Sequence, residues 1–517
     1  MKTKGLSLIA VALLAAVMEP PTATGAVEGR LRVGGIVLDE VGDRSAVQET
    51  YNIYDGFSLT QIRLQGTSAR RSHFTLDLRD INLDSRKGDL VYLMPGAMKV
   101  TAHYDQHRQV FDPDRAVNSE RKDWRVGLSL TPKRWLTLSG SYGAVTRDGD
   151  RLSFPTGTAS VLGTQYDNAL RTGQFTVEGQ KDRHGGAVTY RISDYTDDLN
   201  ATADRKGQVV TARFYAPDPF FDKVQHFLRG AYGIRKLTTN ELDYTLANVQ
   251  YTGVVSPGQA WQFRYRFDAN RIDNESTELK TDRFQNDVDA TYFHRYGRLN
   301  GGYGYEINDD DRRLTSYHSW HAGADFRHGK VQAKAHYSER IKKDQEELTL
   351  LKDVEASRIR GSLEIRPLDA LVVGGDVARR DREYPDIGVE TNGDLVRGFG
   401  RYERQGWGSV GVDYSYTLDE YRDLVGNFDT DSHIVTARAE ITRVQNLRLG
   451  GGMAYLDIGK DLNIEKSSVF AEAAYTILRD YAIEVQYNVY NYDDYVLIDR
   501  YYTANVVRIN LVYNLHP

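Results

Sequence analysis

His318 and His321 are the two histidines whose spacing most suggests a metal pair. On a strand, positions three apart point to opposite faces, so these two cannot share an ion. Carboxylates gather at Asn308-Asp309-Asp310-Asp311 and at Asp429-Thr430-Asp431. Calcium takes such oxygens, but neither run has the ligand spacing of an EF-hand, and a solvated loop accounts for both. The groups Gly301-Gly302, Gly374-Gly375 and Gly450-Gly451-Gly452 lie inside period-two segments. A phosphate-cradling loop sits between a strand and a helix, so these glycines point instead to close backbone approach or curvature. The chain has no cysteine, which excludes a disulfide, a thiolate metal site, a thiol nucleophile and CxxCH haem attachment. There is no GxSxG elbow and no Ser/His/acid constellation. The expectation is a protein that is not an enzyme, with no catalytic, cofactor-binding or metal residue of its own.

What remains is charge at alternating positions. In Ala260–Ala269, Trp261, Phe263, Tyr265 and Phe267 fall on one side, and Gln262, Arg264, Arg266 and Asp268 on the other. Period two means a strand. Large aromatics on one face and arginines on the other suit a barrel in lipid, apolar outward and charged toward a wet lumen. On this parity Arg264, Arg266, Lys334, Arg358, Arg360 and Arg438 face the lumen, as do Glu364, Arg366 and Glu440. These cations either hydrate a wet wall or contact a charged occupant.

Composition agrees with such a wall. The 517 residues carry a formal charge of -6, mildly acidic and therefore unsuited to nucleic acid as a main partner. The mean hydropathy of -0.54 fits strands of which only one face meets lipid. Lys2, Lys4 and the apolar run Leu6–Val17, followed by Thr24-Gly25-Ala26, read as a secretory signal over residues 1–26. Beyond it no run of 18 apolar residues could form a spanning helix. An exported chain with barrel strands points to the bacterial outer membrane.

Units of this kind recur over 27–517, joined alternately by short Gly/Pro/Asp/Asn-rich turns and longer polar loops. The count is about 26 strands, giving an all-β, antiparallel up-and-down transmembrane barrel. The turns Pro132–Arg134 and Pro367–Asp369 are expected in the periplasm, and the loops 309–314 and 382–393 outside the cell. Tyr303, Tyr305, Tyr414, Tyr416, Tyr487, Tyr490, Tyr492, Tyr501 and Tyr502 lie near strand ends and are expected to form membrane-interface girdles.

Strands about 4.8 Å apart and tilted about 40° give 26 of them a backbone diameter of roughly 50 Å. Strands starting near residue 27 and loops of modest length leave no evident plug domain, so the expected occupant of so wide a bore is a second protein. The run Asn82-Leu83-Asp84-Ser85-Arg86, following a down-up strand pair, resembles the N-terminal part of the MtrB/PioB family, the outer-membrane barrels of porin–cytochrome conduits. That resemblance implies a barrel of similar strand number without a plug. It implies a periplasmic or outer-surface multihaem c-type cytochrome as partner, haem in that partner and none in this chain, and extracellular electron transfer as the function. The competing expectation is a large-bore diffusion porin or substrate channel gated by its own loops.

Overall fold

The computed structural model describes residues 27–516 apart from 45–46, 48–52, 54, 69–71, 111–117, 151–164, 238–242, 276, 312, 345–352, 424 and 496–500. The signal-peptide expectation, residues 1–26, lies outside the described residues.

The described chain is almost entirely strand. The first strands are β1 (Val27–Gly42), β2 (Gly56–Thr67), β3 (His73–Arg79), β4 (Arg86–Met94), β5 (Met98–Val110), β6 (Asn118–Lys133), β7 (Leu136–Asp150), β8 (Gln165–Lys181) and β9 (His184–Asp197). Then come β10 (Arg205–Pro217), β11 (Val224–Leu237), β12 (Asp243–Val255), β13 (Trp261–Asn274), β14 (Leu279–His294), β15 (Gly297–Asp309), β16 (Leu314–His328), β17 (Val331–Asp344) and β18 (Val354–Leu368). The last are β19 (Leu371–Tyr384), β20 (Val389–Arg404), β21 (Gly408–Arg422), β22 (Asn427–Ile441), β23 (Leu447–Lys460), β24 (Ile464–Leu478), β25 (Tyr481–Asp494) and β26 (Tyr502–Leu515). Each pairs antiparallel with the next, and β1 pairs with β26 from Gly29↔Leu515 to Gly42↔Tyr502, which closes a single 26-stranded sheet. Closure is what lipid demands, because a sheet edge in the hydrocarbon would leave backbone N–H and C=O groups without partners.

Register follows the alternation. Phe263 stands opposite Ala290 and Tyr265 opposite Val288, while Arg264 stands opposite Asp289 and Arg266 opposite Asp287. The apolar set therefore shares one face and the charged set the other. Exposed aliphatic and aromatic side chains cover the outer face of nearly every strand, Trp261, Phe263, Val288, Val377 and Val412 among them. The hydrocarbon of the bilayer removes these surfaces from water.

The short turns lie where the sequence places them. His328 and Val331 are joined through Gly329, whose φ of 54° is a left-handed conformation that glycine adopts without strain. In the turn after β10, His226 and the backbone N–H groups of Phe220 and Phe221 donate to Asp218, and these bonds hold its carboxyl below the usual carboxylate range.

On the opposite rim the strands run further than their sequence pattern indicates. The expected loop 382–393 shrinks to 385–388, because β19 reaches Tyr384 and β20 starts at Val389; β13 and β14 likewise extend to Asn274 and from Leu279. Above the apolar band the outward positions turn polar, as at Arg271, Asp273, Arg379 and Asp381. There the outer face is also wet, so the apolar/polar alternation fades while the backbone ladder continues. With the start of β1 and the end of β26 on the short-turn side, an epitope tag at 386 should be reached by antibody on intact cells, and a tag at 133 only after permeabilisation. The opposite labelling would invert the topology.

The girdle expectation needs one correction. Tyr303, Tyr305, Tyr414, Tyr416 and Tyr487 lie on the outer face, several hydrogen-bonded by phenol to a neighbouring strand, as Tyr303 to His318 Nδ1 at 2.7 Å and Tyr487 to Asn505 at 3.0 Å. Tyr490, Tyr492 and Tyr502 have the opposite parity. They face inward, where Tyr502 and Ala504 pack with Val47 from the β1–β2 connection and with Leu38. Val47 is 1% exposed, packed on the lumen side of the closing seam.

Candidate functional site: the charged lumen wall

The lumen face carries chains of ion pairs running around the barrel. The Arg264 guanidinium donates to Asp289 at 2.6 Å, and Asp289 also meets His321 Nε2 at 3.1 Å. Between them lies Gly302, on the row Asp289–Gly302–His321. A Cβ there would collide with both side chains, so this glycine leaves room for a pair that spans two strand spacings. Glu306 is shared by Arg283 at 3.0 Å and Arg340 at 3.3 Å, and the Arg340 guanidinium lies 4.3 Å from the Tyr317 ring centroid. Asp344 sits between Arg313 and Lys342 with its side chain fully buried.

All six sequence-chosen cations fall on this face. Arg266 pairs with Asp268 at 3.5 Å, Arg360 with Asp376 at 3.9 Å, and Arg438 with Glu472 at 3.6 Å while lying over the Phe470 ring. Lys334 and Arg358 have no ion-pair partner among the described residues. Most of these charges are thus answered by the wall itself. Exposed pairs of this kind contribute about 0–1 kcal/mol each, so their main effect is to fix side-chain positions along a wet surface. Sequence reading missed Arg340, Arg380 and Arg382, whose parity matches that of Arg358; extending the period-two count into the polar ends of β17 and β19 would have found them. His318 and His321 lie on opposite faces, His318 against Tyr303 and His321 against Asp289. No group of three or more His, Asp or Glu residues among those described is arranged to hold a metal ion.

The Asn82–Arg86 run has a structural task. Where β3 ends, Asp80 and Ile81 N–H bond to the Thr60 and Leu59 carbonyls. Asn82 then continues the ladder with its side chain, accepting from Leu59 N–H at 2.7 Å and donating to the Phe57 carbonyl at 2.6 Å. Arg86 Nε donates to the Leu83 carbonyl at 2.7 Å, and Asp84 meets Arg108 at 3.7 Å. The run closes the exposed edge of β2 above the short β3.

No family model matches the chain, and no curated protein matches it. Solved structures do. The closed form of the ferric-catecholate import receptor Fiu from E. coli K12 superposes with a TM-score of 0.50 at 10% identity, covering 96% of this chain and 82% of that one. A variant of the ferric enterobactin receptor PfeA from Pseudomonas aeruginosa gives 0.49 at 9% identity, over 96% and 81%. The siderophore receptor PirA from Pseudomonas aeruginosa gives 0.48 at 9%, also over 96% and 81%. The chain is a bacterial outer-membrane β-barrel. Identity this low shows the fold alone.

The comparison corrects three expectations. The all-β barrel of 26 strands stands, but its description as plug-free does not: the similar solved barrels are siderophore receptors, and the Fiu chain continues beyond the 82% that is matched. The porin–cytochrome, electron-transfer designation and the multihaem cytochrome partner fall with it, since the solved barrel that this chain superposes on with a TM-score of 0.50 is an import receptor. The physical reason is plain. Period-two alternation reports a wall between lipid and water, and that wall reads the same whether the bore is open, plugged or filled by another chain.

Proposed function

We propose that this barrel is a non-enzymatic outer-membrane passage for polar solutes, with the charged inner wall as its working surface. The observation that carries the reading is the charged lumen face, in which Arg264–Asp289–His321 and Arg283–Glu306–Arg340 are held in place by one another across neighbouring strands. Ions so fixed keep the wall wet and stop long side chains collapsing into the bore. A closed sheet of this strand number is wide, roughly 50 Å between backbones, so solutes larger than a disaccharide fit between the walls. Kinship with the MtrB/PioB barrels is proposed for the wall alone, on the Asn82–Arg86 run and the strand number. No partner is carried over with it, and no siderophore from the solved receptors.

The test is swelling of liposomes containing the purified chain, in iso-osmotic neutral oligosaccharides of increasing length. Swelling that continues through tri- and tetrasaccharides is expected. Vesicles that hold their volume in every sugar, with barrel folding verified by heat-modifiable gel mobility, would remove the passage reading.

A further inference from the structure

Two lumen-facing rows run side by side across β16–β21 toward the long-strand rim. One reads His321, Ser338, Arg358, Arg380, Gly393, Asp419; the other reads Ser319, Arg340, Ala356, Arg382, Thr391, Tyr421. Between them the wall forms a cavity of about 750 Å³ lined by all of these residues except Gly393. Its floor is small: Ser338, Ala356 and Thr391. Its rim is four arginines. At Gly393 a Cβ would lie 2.5 Å from Arg380 Nε and 2.8 Å from Asp419 Oδ1, so the glycine keeps the basin open where Arg380 crosses β20.

The charge in this basin does not balance. Arg358 and Arg380 are directly opposite each other on β18 and β19, a like-charge arrangement that destabilises a strand pair. Arg380 is answered by Asp419 at 2.6 Å and Arg340 by Glu306 at 3.3 Å, a carboxylate that Arg283 also claims. Arg358 and Arg382 meet no carboxylate among the described residues. The other acids bordering the cavity have outward parity and partners of their own: Tyr337 donates to Glu339 at 2.9 Å, Arg379 to Asp381 at 2.9 Å, and Arg422 to Glu420 at 3.3 Å. A basin with unanswered guanidinium forks and a small-residue floor has the chemistry of an oxyanion receptor, because each fork can give two parallel N–H bonds to a phosphate or carboxylate group.

We propose that this basin is a binding site for multiply charged oxyanions, the class that includes oligophosphates and polycarboxylates, with Arg358 and Arg382 as its principal donors and Arg340, Arg380 and His321 at its edge. A ligand bearing two or more negative groups spans the two rows and relieves the Arg358/Arg380 repulsion. The site rests on the reading of the lumen as a solute passage, which brings the ligand to it.

The experiment is calorimetric titration of the full chain, folded in detergent micelles, with inorganic pyrophosphate as probe. Saturable binding that weakens with added salt is expected, with at least a tenfold loss of affinity in the Arg358→Gln/Arg382→Gln double variant. Arg213→Gln, on the lumen face of β10 and paired there with Glu178, should bind as the parent does. Heat-modifiable mobility checks that each variant is folded. Absence of saturable binding overturns the site. So does equal affinity in the double variant, and so does equal loss in Arg213→Gln, since the effect would then be the general field of the lumen. Sugar swelling does not depend on these arginines, so loss of the site with swelling retained leaves the passage reading standing, and the reverse result separates them in the other direction.

Discussion

Val288→Arg should leave the chain out of the outer membrane, whereas Asp287→Asn one residue away should assemble. Val288 lies near the middle of β14, with Phe284, Asn286, Ala290 and Tyr292 as the nearest outward positions on its own strand, and its cross-strand neighbours are Tyr265 and Tyr303. It is exposed, and its outward neighbours Asn286, Ala290, Tyr265 and Tyr303 include no carboxylate to pair with a guanidinium. An arginine near the bilayer midplane costs about 2–4 kcal/mol in a barrel of this kind. Asp287 faces the lumen, where Gln285 donates to it at 3.0 Å. Asparagine there keeps its size and its acceptor and loses only a solvated charge. Membrane fractionation with heat-modifiable gel mobility reads both outcomes. Equal behaviour of the two variants would mean that the face assignment, and with it every lumen residue named above, is reversed.

That face assignment was legible in the sequence because one stretch, Trp261–Asp268, separates its aromatics from its charges without exception. The closed sheet of 26 strands follows from repeating that reading along the chain. What the sequence did not disclose falls into two kinds. Strand ends such as Arg271–Asn274 and Arg379–Tyr384 are polar on both faces, so a rule built on alternation stops at the edge of the lipid although the hydrogen-bonded ladder does not. The other kind is contact across strands. Nothing local to Arg264 indicates that Asp289 will stand opposite it, or that Gly302 will leave a gap through which His321 shares the same carboxylate. Register fixes these meetings, and register is a property of pairs of strands. Tyr502 shows the same limit: its composition and position suit a girdle, yet parity relative to Tyr501 sends it inward onto Val47. What the bore contains lies further still from the wall's own pattern, which is why the cytochrome expectation did not survive comparison with solved barrels.

The largest single loss of stability is expected from Asp344→Ala. Its carboxylate, at the end of β17, is fully buried and lies between Arg313 and Lys342, while its backbone N–H donates to Asp353 Oδ1 at 3.1 Å and Asp353 in turn binds Lys343 at 2.8 Å. Truncation removes the anion that two partly buried cations share. Breaking a buried pair in this way costs about 3–5 kcal/mol, chiefly because the surviving charge is left desolvated and uncompensated. The effect should be local: faster amide exchange at the long-strand ends of β16 and β17, with the rest of the sheet unchanged, and a lower urea midpoint for the folded barrel in lipid. A second substitution separates charge from packing. If the loss of the buried carboxylate beside the cation is what costs, Asp344→Ala/Arg313→Met should recover part of the lost stability, since an apolar chain of similar length replaces a partly buried guanidinium. A double variant no more stable than Asp344→Ala alone would show that the carboxylate acts by filling space, and that the ion pairs of this rim contribute little to holding β16 against β17.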